Sequence, residues 1–177
     1  VHGIVKTYGG AIRVFSEPDK GTVFHVYLPA IESVEPEAPG PSQPLPGGNE
    51  RILLVDDEET LGNALKKMLE TLGYQVTAVT GSQEALEIFG GQPEAFDLVI
   101  TDYTMPKMSG TELAREILRI RSTLPVILTT GFSERLDEEG AAAAGISALI
   151  MKPVSLRGIA ELILRVRKER EAGFVSK

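Results

Sequence analysis

Three short apolar runs each end on charge. Ile52-Leu53-Leu54-Val55 leads into Asp56-Asp57, Leu98-Val99-Ile100-Thr101 into Asp102, and Leu149-Ile150-Met151 into Lys152. Short, near-continuous apolar runs read as strands buried on both faces, the pattern of a parallel sheet. In an open sheet of this kind, groups at the carboxyl ends of the strands face one shared crevice. The pattern therefore constrains fold and chemistry together: Asp56, Asp57, Asp102 and Lys152 are expected to meet.

The rest of the chain divides around this pattern. Ile31 to Asn49 contains five prolines and three glycines, cannot build a packed core, and reads as an extended linker. Glu50 to Lys177 then alternates strand and helix. Leu61, Leu65, Met68, Leu69 and Leu72 follow helical spacing, with Gly73 as a stop. Gln75–Val79 is a second strand and Ser82–Phe89 a short helix. Asp97–Thr101 is a third strand, and Ser109-Gly110-Thr111-Glu112 is a capping box opening a helix to about Arg121. Val126–Thr130 and Ala148–Met151 are further strands, with a weaker helix from Ser133 to Ala144 between them. Ser155 caps a last helix with Leu156, Ile159, Ala160, Ile163 and Val166 on its apolar face. This is (βα)5, an α/β doubly wound parallel sheet of order 2-1-3-4-5. Its crevice lies between the first and third strands, beside the three acids.

Val1 to Ala30 reads as a helix end followed by two strands, Ala11–Ser16 and Thr22–Leu28, joined by the turn Pro18-Asp19-Lys20-Gly21. A piece this small does not stand alone, so it is expected to pack against a neighbour and to promote self-association. The chain opens on Val1, not Met, and is read as part of a longer protein.

Composition narrows the function. A net charge of −7 argues against nucleic-acid binding, and the absence of cysteine removes disulfides and thiolate metal sites. No apolar run is long enough to span a bilayer. A cytoplasmic location is expected for this segment, whether or not its parent is anchored in a membrane.

Three converging carboxylates repel one another unless a cation sits among them, and hard oxygen ligands in a partly hydrated site favour Mg²⁺. Asp57 and Asp102 are the expected direct ligands. Asp56 acts directly or through water, and the backbone carbonyl of Thr104 could supply another oxygen. Asp102, at a strand end before a Pro/Gly loop, is aimed to attack phosphorus and form an aspartyl phosphate. Lys152 would pair with a phosphate oxygen as a compact positive charge, and Thr130 could donate its hydroxyl to another. Singly, each residue has an ordinary explanation: a helix cap, a loop carboxylate, a turn, a strand end. The joint placement after the correct strands carries the reading. His2 and His25 show no metal-ligand spacing and receive no role.

At these residues the segment Glu50–Lys177 resembles the receiver domain of two-component response regulators. The motifs are VDDEE around Asp56-Asp57, DYTMPKMSG from Asp102, TTG at Thr130 and MKP at Lys152. The resemblance implies phosphorylation of Asp102 from a phosphohistidine donor, Mg²⁺ at Asp56, Asp57 and Asp102, a switch hydroxyl at Thr130, and a cis Lys152–Pro153 peptide. One departure is Leu149, where many receivers carry an aromatic switch residue; Phe132 and Tyr103 are the candidates to replace it. Val1–Ala30 resembles the C-terminal end of a histidine-kinase ATP-binding domain, so the parent would be a hybrid histidine kinase. The nucleotide-binding boxes and the phosphoacceptor-histidine helix of that family are missing. The segment is therefore expected to accept and slowly hydrolyse phosphoryl groups, not to take them from ATP. Expected partners are a histidine kinase or histidine phosphotransferase domain and a protein output partner.

Other readings differ at named positions. An aspartate-nucleophile phosphatase wants a second acid two residues after its nucleophile, where this chain has Thr104. A flavodoxin-like cofactor binder wants a Ser/Thr/Gly-rich loop after the first strand, where Asp57-Glu58-Glu59 would repel phosphate. A receiver-shaped interaction module that is never phosphorylated would have no need of the intact acid set.

Overall fold

The structure, a computed structural model, describes residues 2–30, 44–131 and 144–175. The expected helix from Ser133 lies outside the described residues apart from Ala144, as do Phe132 and linker residues 31–43. The chain divides into two compact units, Val1–Gln43 and Pro44–Lys177.

In the smaller unit, α1 (His2–Thr7) leads into the antiparallel pair β1 (Ala11–Glu17) and β2 (Gly21–Tyr27). The expected turn joins the strands, with Asp19 at φ +62° and Gly21 at φ +99°, conformations open to Asp and Gly. Alternation puts Ile12, Val14, Phe24 and Val26 on one face and Phe15, Val23 and Tyr27 on the other. Phe15 is 58% and Phe24 66% exposed, so apolar surface lies open on both sides of one hairpin.

The larger unit holds five parallel strands: β3 (Arg51–Val55), β4 (Gln75–Val79), β5 (Leu98–Asp102), β6 (Val126–Thr130) and β7 (Ala148–Met151). They lie in the order β4-β3-β5-β6-β7, which is the expected 2-1-3-4-5. Among the described residues the α-helices of this unit are α2 (Glu59–Thr71), α3 (Ser82–Gly91), α4 (Gly110–Ile120) and α5 (Leu156–Val175). Strand alternation divides the core in two. Ile52, Leu54, Leu98, Ile100 and Ile127 pack with Leu65 and Leu69 of α2 and with Ile159 and Ile163 of α5. Leu53, Val55, Val99 and Val126 pack on the other side with Phe89 of α3 and with Leu113 and Ile117 of α4. Each such aliphatic side chain contributes about 1.5–3 kcal/mol by burial.

Local chemistry ends the helices as the sequence suggests. Ser109 Oγ accepts from the Glu112 amide at 3.3 Å, and the Glu112 carboxylate accepts from the Ser109 amide at 2.9 Å, completing the capping box of α4. Gly73, at φ +96°, turns the chain after α2 while Tyr74 N–H donates to the Leu69 carbonyl at 3.2 Å. Ser155 Oγ accepts from the Gly158 amide at 3.1 Å at the start of α5.

Pro44 to Asn49, grouped with the linker by composition, lie within the larger unit. Leu45 packs against the core beneath α2 and α5, and Gly48 N–H donates to the Leu72 carbonyl at 3.1 Å. A proline-rich composition limits secondary structure; it does not prevent one leucine from docking where an apolar face is open.

Two features fix β3 and β5 at opposite ends, one at the strand starts and one at the carboxyl edge that frames the crevice. Asp97, just before β5, takes the Arg51 amide and Nε on Oδ2, both at 3.0 Å, and Nη2 on Oδ1 at 2.9 Å. These bonds from Arg51 hold the Asp97 carboxyl below the usual carboxylate range, against a smaller opposing effect of burial. A lowered folded-state pKa adds stability above the unfolded value, and that stability is lost as pH falls through the folded value. Asp97→Asn should therefore lower the thermal midpoint at neutral pH, with the difference from the parent shrinking below about pH 4. Thermal unfolding across pH measures this, and a difference that persists unchanged at pH 2 would contradict it.

At the other end, Gly110 lies so close to the Asp102 carbonyl that an added Cβ would collide with it, and would lie 2.8 Å from Leu128 Cδ1. The neighbouring backbone is held as well, Gly110 N–H donating to the Tyr103 carbonyl at 2.9 Å. Gly110→Ala should destabilise the unit by about 1–3 kcal/mol. Urea denaturation reads this as a lower midpoint; an unchanged midpoint would mean the close approach is not real.

Candidate functional site

The crevice forms where β3 and β5 end side by side. Val55 pairs with Thr101, so the residues that follow each strand emerge together. Asp56 is buried, Asp57 is exposed, and Asp102 is 7% exposed. One carboxylate oxygen from each lies within 4.8 Å of the others. Lys152 reaches in from the end of β7, its Nζ 2.8 Å from Asp102 Oδ1 and 3.1 Å from Asp56 Oδ2. The four residues that the sequence brought together by pattern are together in space.

Each carboxylate has a distinct environment. Asp56 is occupied on both oxygens: Oδ1 accepts from the Glu58 amide at 3.0 Å and Oδ2 from Lys152. Asp102 takes both of its donors on one oxygen, Oδ1 accepting from Lys152 and, at 3.0 Å, from the buried hydroxyl of Thr129. Among the described residues, Oδ2 accepts no hydrogen bond. For Lys152, burial favours the neutral amine, but hydrogen bonds to Asp102 and Asp56 and their charges outweigh it and raise its pKa above the ordinary lysine value. The ammonium form therefore persists throughout the neutral range. One ammonium against three carboxylates leaves the cluster with negative charge in excess. With Asp57 open to solvent, the oxygens suit a divalent cation that keeps part of its hydration.

The loop after Asp102 holds its shape by local bonds. Tyr103 N–H donates to the Thr129 carbonyl at 2.8 Å. Met108 N–H donates to the Pro106 carbonyl at 2.9 Å, a tight turn around Lys107 at φ +69°. Thr104 is exposed on this loop. Thr130 ends β6 with its hydroxyl donating to the Gly131 carbonyl at 3.3 Å. The Lys152–Pro153 peptide is cis. Leu149 is half-buried in β7, paired with Leu128, and no aromatic ring takes its place in the strand.

Thr129 is a residue beside the acids that the sequence reading did not single out. The missing information was register. Thr129 is the cross-strand partner of Asp102 and shares its side of the sheet, whereas Thr130 is the last residue of β6, at its carboxyl edge.

Known proteins match this geometry. The response regulator receiver domain profile matches residues 52–164. The sensor kinase CckA of Brucella abortus is 29% identical over 180 residues, covering 97% of this chain and 19% of that protein. The aerobic respiration control sensor protein ArcB of Escherichia coli is 31% identical over 165 residues, covering 90% of this chain and 21% of that protein. The chain thus spans about a fifth of the length of these two sensor kinases. Among solved structures, a receiver domain protein from Clostridium thermocellum superimposes with a TM-score of 0.65 at 32% identity, covering 70% of this chain and 98% of that one. The receiver domain of a signal transduction histidine kinase from Syntrophus aciditrophicus gives 0.60 at 32% identity, covering 68% and 91%. With five parallel strands in the expected order and an acidic cluster at their carboxyl edge, the chain belongs to the response regulator receiver domain family of two-component signalling.

Proposed function

We propose that Asp102 is the phosphoacceptor of this receiver domain and takes its phosphoryl group from a phosphohistidine. The observation that carries the reading is the convergence of Asp56, Asp57 and Asp102 within 4.8 Å of one another, with Lys152 bridging two of them. Asp102 Oδ2 attacks phosphorus, the P–N bond to the donor histidine breaks, and its electron pair returns to the imidazole nitrogen. Lys152 moves from Asp102 Oδ1 to a phosphoryl oxygen, and the Thr130 hydroxyl turns to another. Asp56, Asp57 and Asp102, with the Thr104 carbonyl, would hold Mg²⁺, which when bound neutralises phosphoryl charge and aligns the group for in-line transfer.

The product exchanges one carboxylate charge for about −1.5 to −2 on phosphate. Loss of Lys152 from Asp102, with rotation of Thr130, then biases the face built from β6, β7 and α5, where Met151 is 57% exposed. With Leu149 in place of an aromatic, this coupling runs through Thr130 and Lys152 without a swinging ring. A histidine phosphotransferase or kinase domain is the expected donor, and a protein reads the altered face. The apolar groove beside the site, lined by Leu61, Leu65, Met68 and Val154, suits the donor's helix. We place the domain in the cytoplasm; among the described residues no helix is long and apolar enough to cross a membrane.

For residues 1–30 we propose the C-terminal end of a histidine-kinase ATP-binding domain, with the linker and then the receiver at 50–177 following it in a hybrid kinase. Support comes from the alignment with CckA, which covers 97% of the chain and so extends beyond the receiver, and from a hairpin apolar on both faces. The occupant of those faces is the remainder of that domain. In its absence the hairpin should pair with a second copy. Sedimentation should show concentration-dependent association that removal of residues 1–30 abolishes; a monomer throughout would contradict this part.

Incubation with Mg²⁺ and phosphoramidate should give one acid-stable, base-labile phosphate per chain. Labelling should disappear on chelation and in Asp102→Asn. Equal labelling of the variant would refute the assignment, and rapid turnover of generic phosphomonoesters would favour a phosphatase.

A further inference from the structure

Among the described residues, two donors reach Asp102 on the same oxygen, and they differ in mobility. Lys152 is a long, flexible side chain, 23% exposed, that divides itself between Asp102 and Asp56. Thr129 is 1% exposed near the end of β6, β-branched and stiff, with its hydroxyl 3.0 Å from Asp102 Oδ1. Its backbone is fixed too, its carbonyl accepting from Tyr103 N–H at 2.8 Å. Lys152 can leave for a phosphoryl group; Thr129 has nowhere else to go.

We propose that Thr129 is a positioning residue that stays on Asp102 Oδ1 through the phosphorylation cycle and sets the lifetime of the phosphorylated state. The inference rests on Asp102 being the phosphoacceptor. In the acyl phosphate, Oδ2 carries the phosphoryl group and Oδ1 becomes the carbonyl oxygen. During hydrolysis water attacks phosphorus, the P–Oδ2 bond breaks, and its electron pair passes to the carboxylate, which spreads the charge onto Oδ1. The water's proton goes to the departing phosphate or to solvent. A hydrogen bond to a full carboxylate is stronger than one to a neutral carbonyl, so the Thr129 donor strengthens as the bond breaks. It makes Asp102 a better leaving group and shortens the life of the signal. The residue also fixes the orientation of the carboxylate by holding Oδ1.

The test uses the full chain, phosphorylated with phosphoramidate and Mg²⁺, freed of the donor, and followed for loss of phosphate. Thr129→Val keeps the shape and removes the hydroxyl; it should lengthen the half-life about fivefold, the effect of one modest hydrogen bond on a rate. Thr129→Ala should lengthen it similarly, so the result does not depend on how well one variant packs. Thr129→Ser restores a hydroxyl and should return the half-life to within about twofold of the parent, which loss of packing alone would not do. A half-life unchanged or shortened in both Val and Ala variants, or a Ser variant that behaves like Val, overturns the proposal. Absence of phosphate from the parent chain would instead overturn the phosphoacceptor reading itself, so the two failures are distinguishable.

Discussion

Electrostatic balance at the carboxyl edge of the sheet is the constraint on which the larger unit is organised. Parallel strands bring their C-terminal ends to one edge, and here that edge carries Asp56, Asp57 and Asp102. Placed there alone, the acids would oppose folding. Lys152 offsets part of that repulsion by bridging Asp56 and Asp102 at 3.1 and 2.8 Å. Enough negative charge remains to attract a cation. The arrangement is thus incompletely neutralised, which suits a divalent cation.

The hydrophobic layers hold that edge in place. Alternate residues of β3, β4, β5 and β6 pack against α2 and α5 or against α3 and α4, so such a strand cannot slip by one residue without exposing its core face. Register in turn decides which polar groups meet. Asp102 and Thr129 touch because β5 and β6 pair them, and Gly110 is small because α4 begins against the Asp102 carbonyl. The chemistry of the crevice is set by packing that lies beneath it.

Pattern made most of this legible. Strand and helix positions followed from short apolar runs and from helical spacing, helix starts from Ser109 and Ser155, and the fold order from right-handed crossovers. The acids and Lys152 were found because each follows a strand. Pro44 to Asn49 were read as linker because composition reports the low propensity of prolines and glycines but not the docking of Leu45. The contact of Thr129 with Asp102 is not legible in the sequence because it depends on how β6 is aligned with β5.

By itself the sequence determined the alternation of strands and helices, the edge at which charge collects, and which acids and lysine stand there, because periodicity and residue type are local properties. Tertiary structure alone decided which oxygen of Asp102 is held by Lys152 and Thr129, and how Lys152 divides itself between two acids. Those outcomes depend on distances between residues remote in the chain, fixed only when the two layers of the core close on the sheet.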